Sequence, residues 1–310
     1  MVGQTKNSPK SWLAFDLNVL RRLTFTTVAL PFADQPALGA YLKRWNARVL
    51  ANDPVQSVWA RSLSEITNNG QKLSSDEVDA VLEDAYVPGY RLKNEALSVW
   101  FSEVDAWWFD NVRRNIDRLP SQMSQAIASS IVMATGDYAM SFREENRELR
   151  QPLSSVFKRL WSIQPDSFNN GQSNVSTNKN ADDFLAETPA ELMFLRLPSA
   201  HAQNLRTYLG RAAWREEWLR GGSAFWDTLE AAMSGKLGAA TETKSQYLHL
   251  LEGTLRRASH IKQWAIAHVE HGFIQTQDIV DTVASIRKVN TVYTKDFSEL
   301  TGTKAVIITA

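Results

Sequence analysis

Short apolar runs alternate with stretches of helical spacing along this chain. TTVALPF (26–32) is apolar and β-branched, and ADQP breaks it. ALGAYLKRW (37–45) has helical spacing. ARVLAND (47–53) is apolar again and ends polar, and PVQSVWARSLSEI (54–66) begins with Pro at a first helical position. Two parallel strands joined by a helix make a βαβ unit. Further on, ELMFLRLP (191–198) reads as a strand that Pro198 ends, and KQWAIAHV (262–269) as another. NTVYTKD (290–296) and TKAVIITA (303–310) read as an antiparallel closing pair around SELTG.

The middle of the chain carries helix spacing. Residues 76–84 and 93–119 show it, with Leu97, Trp100, Phe101, Val104, Trp108 and Val112 as one buried stripe on a long helix. Residues 121–140 follow Pro120 as another helix, and FREENRELR (142–150) reads as a solvated helix face. The Asn/Ser-rich segment 166–180 reads as a loop without core content. Asn180 then caps a short helix over 180–187. Residues 203–233 and 244–258 are helical, and 275–289 is an amphipathic helix capped by Thr276. The pattern predicts an α/β fold with a mostly parallel sheet covered by helices on both faces. Residues 1–10 are a flexible start, 11–70 and 161–310 the α/β core, and 71–160 a helical insertion.

Composition narrows the classes. With 310 residues, 44% hydrophobic and 22% charged, the chain can bury a large core, which excludes wholesale disorder. Lys+Arg 34 balances Asp+Glu 34, which argues against nucleic-acid binding through bulk positive charge and leaves room for a local basic face. The absence of Cys removes disulfides, thiolate nucleophiles and Cys-type metal sites. No apolar run nears the roughly 18–20 residues that cross a bilayer, and SWLAFDLNVL is short and carries Asp16. The expectation is a soluble, cytoplasmic protein with no membrane partner. Trp59, Trp161, Trp214, Trp218 and Trp264 read as core anchors more readily than as stacking platforms for bases.

In such folds ligands sit at the carboxyl ends of the strands, here loops 32–36, 52–54, 180–183 and 196–203. The first loop, Phe32-Ala33-Asp34-Gln35-Pro36, has no glycine for close backbone approach to a cofactor. Asp34 puts a carboxylate there and Pro36 removes a donor. Asp53 ends the second strand, where a carboxylate serves either as a partner of ribose hydroxyls or as a cap before Pro54.

The order of these pieces resembles the adenine-specific DNA methyltransferases of the Asp-Pro-Pro-Tyr type, over roughly residues 20–70 and 170–310. In that family a Phe-x-Gly-x-Gly loop follows the first strand and Ala-Asn-Asp often ends the second; here stand Phe32-Ala33-Asp34 and Ala51-Asn52-Asp53. The family's Asp-Ala-x-Asp-Phe-Leu-like segment has its counterpart in Asn180-Ala181-Asp182-Asp183-Phe184-Leu185. Its hydrophobic strand into Asp-Pro-Pro-Tyr corresponds to Leu192-Met193-Phe194-Leu195 running into Arg196-Leu197-Pro198-Ser199. The resemblance implies a Rossmann-like class I methyltransferase fold with an antiparallel C-terminal strand and a helical insertion. It also implies S-adenosylmethionine at Phe32, Ala33, Asp34, Asp53 and Asn180, and duplex DNA of a restriction–modification setting as substrate.

Each diagnostic motif is broken. The family's Asp accepts from the adenine amino group, whereas Arg196 can only donate and repels a sulfonium. The family's Tyr stacks on the flipped base, whereas Ser199 has no ring. Leu197 loosens the backbone ahead of Pro198, Asn180 lacks the family's charge, and two loop glycines are gone. The expectation is a pseudoenzyme with no intact catalytic residue and no cofactor, kept for binding DNA, a protein partner or its own copy. Arg206, Arg211 and Arg215, with Arg220, and the pair Arg256 and Arg257 are candidate phosphate contacts; Glu216 and Glu217 temper the first group, which reads more readily as a solvated helix face. The alternative is an active S-adenosylmethionine-dependent enzyme using Asp182 or Asp183 as acceptor and Asp53 on the ribose. His268 and His271 are two imidazoles without a convincing third ligand, so no metal is expected.

Overall fold

The computed structural model describes residues 10–34, 36–87, 91–270 and 272–310; residues 1–9, expected as a flexible start, lie outside them. Helix α1 (Lys10–Leu20) leads into β1 (Thr27–Leu30), α2 (Pro36–Arg44), β2 (Arg48–Asn52) and α3 (Gln56–Ser62), which runs on as a π-turn over Leu63–Thr67. Helical chain follows: α4 (Ser75–Leu82), a 3-10 turn (Glu95–Val99), α5 (Glu103–Ile116), α6 (Gln122–Ser141), a 3-10 turn (Glu144–Leu149) and α7 (Leu153–Ser162). Then come β3 (Val175–Thr177), α8 (Ala181–Glu187), β4 (Leu192–Arg196), α9 (Leu205–Leu209), a 3-10 turn (Gly210–Ala212), α10 (Ala213–Arg220), α11 (Trp226–Met233) and α12 (Lys244–Arg257). The chain closes with β5 (Gln263–Val269), α13 (Thr276–Ala284), β6 (Thr291–Asp296), α14 (Ser298–Thr301) and β7 (Lys304–Thr309).

The seven strands form one sheet in the order β3-β2-β1-β4-β5-β7-β6. The first five positions are parallel, and β7 runs antiparallel between β5 and β6. This is the Rossmann-like α/β sheet that the sequence predicts. Alternating residues build its two faces. Val28, Leu30, Val49, Phe194 and Ala265 meet α1 and α2, whereas Ala29, Leu50, Met193, Leu195 and Ile266 meet α8, α12 and α13. Chain order reverses between β1 and β4, so a crevice opens at the carboxyl ends of those two strands.

A third apolar cluster belongs to the helices, and it draws Trp214, Trp218 and Leu219 of α10 onto Trp108, Phe109, Ile127 and Val132. Gly136 lets α6 approach the Trp214 indole, which a Cβ at that position would overlap. Trp108, Trp214, Trp218 and Trp264 are fully buried, in keeping with core anchors.

Several expectations need correction. The stretch 93–119 is a 3-10 turn and a separate helix, because Ser102 accepts from the Asp105 N–H and starts α5 afresh; Val104, placed on the buried stripe, is exposed. The stretch 203–233 breaks into three helices, with Gly210 and Gly221 at positive φ ending the first two. The last amphipathic helix stops at Ala284, and its cap residue is Gln275, not Thr276. The segment 166–180 is not all loop. It holds edge strand β3, fastened by amides: Asn174 Oδ1 accepts from the Val49 N–H at 2.9 Å, and Asn170 Nδ2 donates to the carbonyls of Lys43 at 3.2 Å and Ala47 at 2.9 Å.

Candidate functional site

The carboxyl ends of β1, β2 and β4 converge where the topology puts a ligand. Asn52, at the end of β2, is consumed by structure. Its Nδ2 donates to Pro31 O at 3.0 Å and Lys179 O at 2.9 Å, and its Oδ1 accepts from Thr177 Oγ1 at 2.8 Å and the Lys179 N–H at 2.9 Å. It ties three strand ends together. Asp53 is 4% exposed, and its Oδ1 accepts from the Val55 N–H at 2.9 Å, so the carboxylate turns back onto the start of α3. Burial pushes its pKa well up, and the charges of Asp34 and Glu216 add to the effect. Such a group is a poor acceptor for ribose hydroxyls.

The loop after β1 is pinned at Ala33, whose N–H donates to Asn52 O at 2.9 Å. Phe32 packs partly buried against the face carrying Leu197 and Leu237. Asp34 faces the end of β4, and Gln35 lies outside the described residues. Arg196 ends β4 with its side chain 12% exposed. Its Nη2 donates to Asp16 Oδ2 of α1, and its Nε lies 3.5 Å from Asp34 Oδ1. Burial would lower the guanidinium's pKa, but Asp34 and Asp16 overcome that and raise it. Asp16 is pushed up to about 6 by burial, against the pull of Arg196. The arrangement is a cation between two carboxylates, one contributed by an N-terminal helix that sequence reading did not identify.

The residues after Arg196 are covered. Leu197 is buried and its N–H donates to Ala267 O at 2.9 Å. Pro198 O accepts from the Tyr247 hydroxyl at 2.8 Å. The Tyr208 hydroxyl lies beside Ser199, and burial raises its pKa. Its ring stacks on His201, with centroids 3.8 Å apart and planes at 14°. Gly238, at a φ of +96°, sits where a Cβ would touch Phe32, Pro198 and Met233, and the Thr241 N–H donates to His201 O at 2.6 Å. An aromatic ring does stand beside residue 199, then, but it comes from α9 and is already stacked. No spacing in the sequence marks Tyr208, Tyr247 or the covering segment.

The acidic residues of the next segment are engaged elsewhere. Asn180 Oδ1 accepts from the Asp183 N–H at 3.0 Å as the cap of α8. Asp182 accepts from Thr254 Oγ1 at 2.8 Å and lies 3.8 Å from Arg257. The arginines read as phosphate contacts all have intramolecular acceptors. Arg206 meets Glu217 at 2.7 Å, Arg215 meets Asp137 at 2.6 Å, Arg220 meets Glu216 at 3.0 Å and Arg256 meets Glu252 at 2.6 Å. Arg211 donates to Met140 O. A cavity of about 400 Å³ opens beside the β1–α2 junction, where Asp34, Glu65 and Asp137 stand against Arg61 and Arg215. His268 is buried with Nε2 unpartnered among the described residues, and burial lowers its pKa; His271 lies outside the described residues. Among the described residues no three His, Asp or Glu side chains gather to hold a metal ion, and no helix is long and apolar enough to cross a membrane.

No family model matches the chain, and no curated protein matches it.

Proposed function

We propose that the chain is a catalytically silent relative of the adenine-specific DNA methyltransferases, a Rossmann-like scaffold kept for binding DNA or a protein partner. One observation carries the reading. The residue ending β4, where methylation of an amino group needs an oxygen lone pair, is Arg196, half-buried and ion-paired to Asp16 and Asp34. A guanidinium has donors only and stays charged, so it neither accepts from an amino group nor tolerates a sulfonium beside it. The cofactor fit is also poor. The loop after β1 lacks glycine, the Asp53 carboxyl is buried and turned to Val55, and the chain after β4 is covered by Tyr208 and the segment around Gly238. Asp182 and Asp183 are poor replacement acceptors, since one carboxylate accepts from Thr254 and the other, exposed on the first turn of α8, accepts from the Asn180 side chain.

Calorimetry with S-adenosylmethionine tests the reading. The expected outcome is no heat of binding at millimolar ligand and no label passed from methyl-labelled cofactor to duplex DNA. Micromolar affinity together with transfer to adenine would overturn it.

A further inference from the structure

A second cavity of about 400 Å³ lies away from the sheet, between the start of α5 and the end of α6. Four guanidiniums line it. Arg143, Arg147 and Arg150 come from the chain just after α6, and Arg211 comes from the turn before α10. Against these four cations the described lining has one carboxylate, Asp105.

Asp105 organises the cluster without neutralising it. It is 3% exposed and accepts from Arg150 at 2.6 and 2.9 Å, from Arg147 at 3.2 Å and from Ser102 Oγ at 2.7 Å. Burial would raise its pKa, but the hydrogen bonds from Arg150, Ser102 and Arg147 outweigh that and hold it low. Arg211 is oriented through the Met140 carbonyl, a neutral acceptor. The Arg143 guanidinium has no intramolecular acceptor among the described residues; only the backbone N–H of Arg143 is engaged, donating to Asn146 Oδ1 at 2.7 Å. The arginines of α10 differ, since each meets a carboxylate of its own. Guanidiniums gathered with too few counter-charges repel one another unless an anion joins them.

The wall behind the arginines is aromatic. Trp100, Phe101 and Phe142 line it, and Phe101 is set by stacking on Phe109 with centroids 4.2 Å apart. Guanidiniums bind phosphate oxygens through paired donors, and aromatic faces take flat rings. A volume near 400 Å³ falls in the range of small-ligand sites. We propose that this cavity binds a nucleotide by its phosphate and base, taken either as a free mononucleotide or as one unit of a single strand. The inference stands on the cavity's charge and walls and is independent of whether the Rossmann-like crevice holds a cofactor.

The test uses the full chain at low salt. Adenosine 5′-monophosphate and inorganic phosphate are titrated by calorimetry, and a short fluorescein-labelled single strand by anisotropy. The monophosphate is expected to bind more tightly than phosphate if the free nucleotide is the ligand, and the strand alone to bind if the polymer is. In either case Arg143→Glu with Arg211→Glu lowers affinity about tenfold or more, while the exposed Lys288→Glu leaves it unchanged. Both variants keep the parent's far-ultraviolet dichroism and melting temperature. The proposal fails if neither the monophosphate nor the strand binds. It fails equally if the double variant binds as tightly as the parent, or if phosphate binds as well as the monophosphate with no strand binding.

Discussion

A carboxyl group buried beside a guanidinium makes the crevice sensitive to pH. Asp16 has its pKa raised from 3.8 to about 6, chiefly by burial. The folded state therefore holds this proton where the unfolded chain has released it. Stability from this group is present at low pH and is lost as pH rises from about 4 to about 6, then stays level. Asp16→Asn carries no such proton. The unfolding free energy of the parent relative to this variant should fall by up to about 3 kcal/mol between pH 4 and 6.5. Urea titrations of both proteins at those two pH values measure it, and a constant difference would contradict the assignment. Arg196 was legible in the sequence as a cation at the end of an apolar strand. Its partner Asp16 was not, because 180 residues separate the two and the helix that carries Asp16 was read only as too short for a secretory signal.

At the scale of elements, β1, β2, β4, β5 and β7 were legible because each runs apolar in a pattern that burial demands. Edge strand β3 escaped notice, since amides rather than apolar side chains hold it. Helix α10 falls in a stretch that reads as helical, but its burial escaped notice for the opposite reason. Its Arg and Glu residues read as a solvated face, yet Glu216 and Glu217 are fully buried. Glu217 accepts from Trp100 Nε1 at 2.6 Å, Arg206 Nε at 2.7 Å and Trp226 Nε1 at 2.9 Å. One carboxylate thus joins α9, α10, α11 and the turn before α5. Nothing in local spacing distinguishes it from a surface glutamate. Glu217→Ala leaves two indole donors and a guanidinium unmatched and should cost roughly 3–5 kcal/mol. Glu217→Gln keeps the shape and should cost less. Urea midpoints for the pair decide it, and a loss below about 1 kcal/mol for the alanine variant would show the network to be dispensable.

For the whole molecule, the balance of 34 basic and 34 acidic residues is a statement about distribution as much as total. The basic residues of α10 and α12 are matched locally by Asp137, Glu216, Glu252 and Asp182, whereas among the described residues the lining of the four-arginine cavity has Asp105 as its one carboxylate. A single strand seated in that cavity would neutralise about two phosphates, so its logarithmic affinity should fall with logarithmic salt at a slope near −1.4. Engagement of the α10 and α12 arginines as well would neutralise about six and steepen the slope to about −4. Anisotropy of the labelled strand across a salt series separates the two. A slope near −4 would mean that the intramolecular pairs of α10 and α12 open on binding and that a basic face, invisible in the net charge, is assembled by the ligand. A slope near −1.4 would mean that those pairs hold α10 and α12 in the fold, leaving recognition to one cavity.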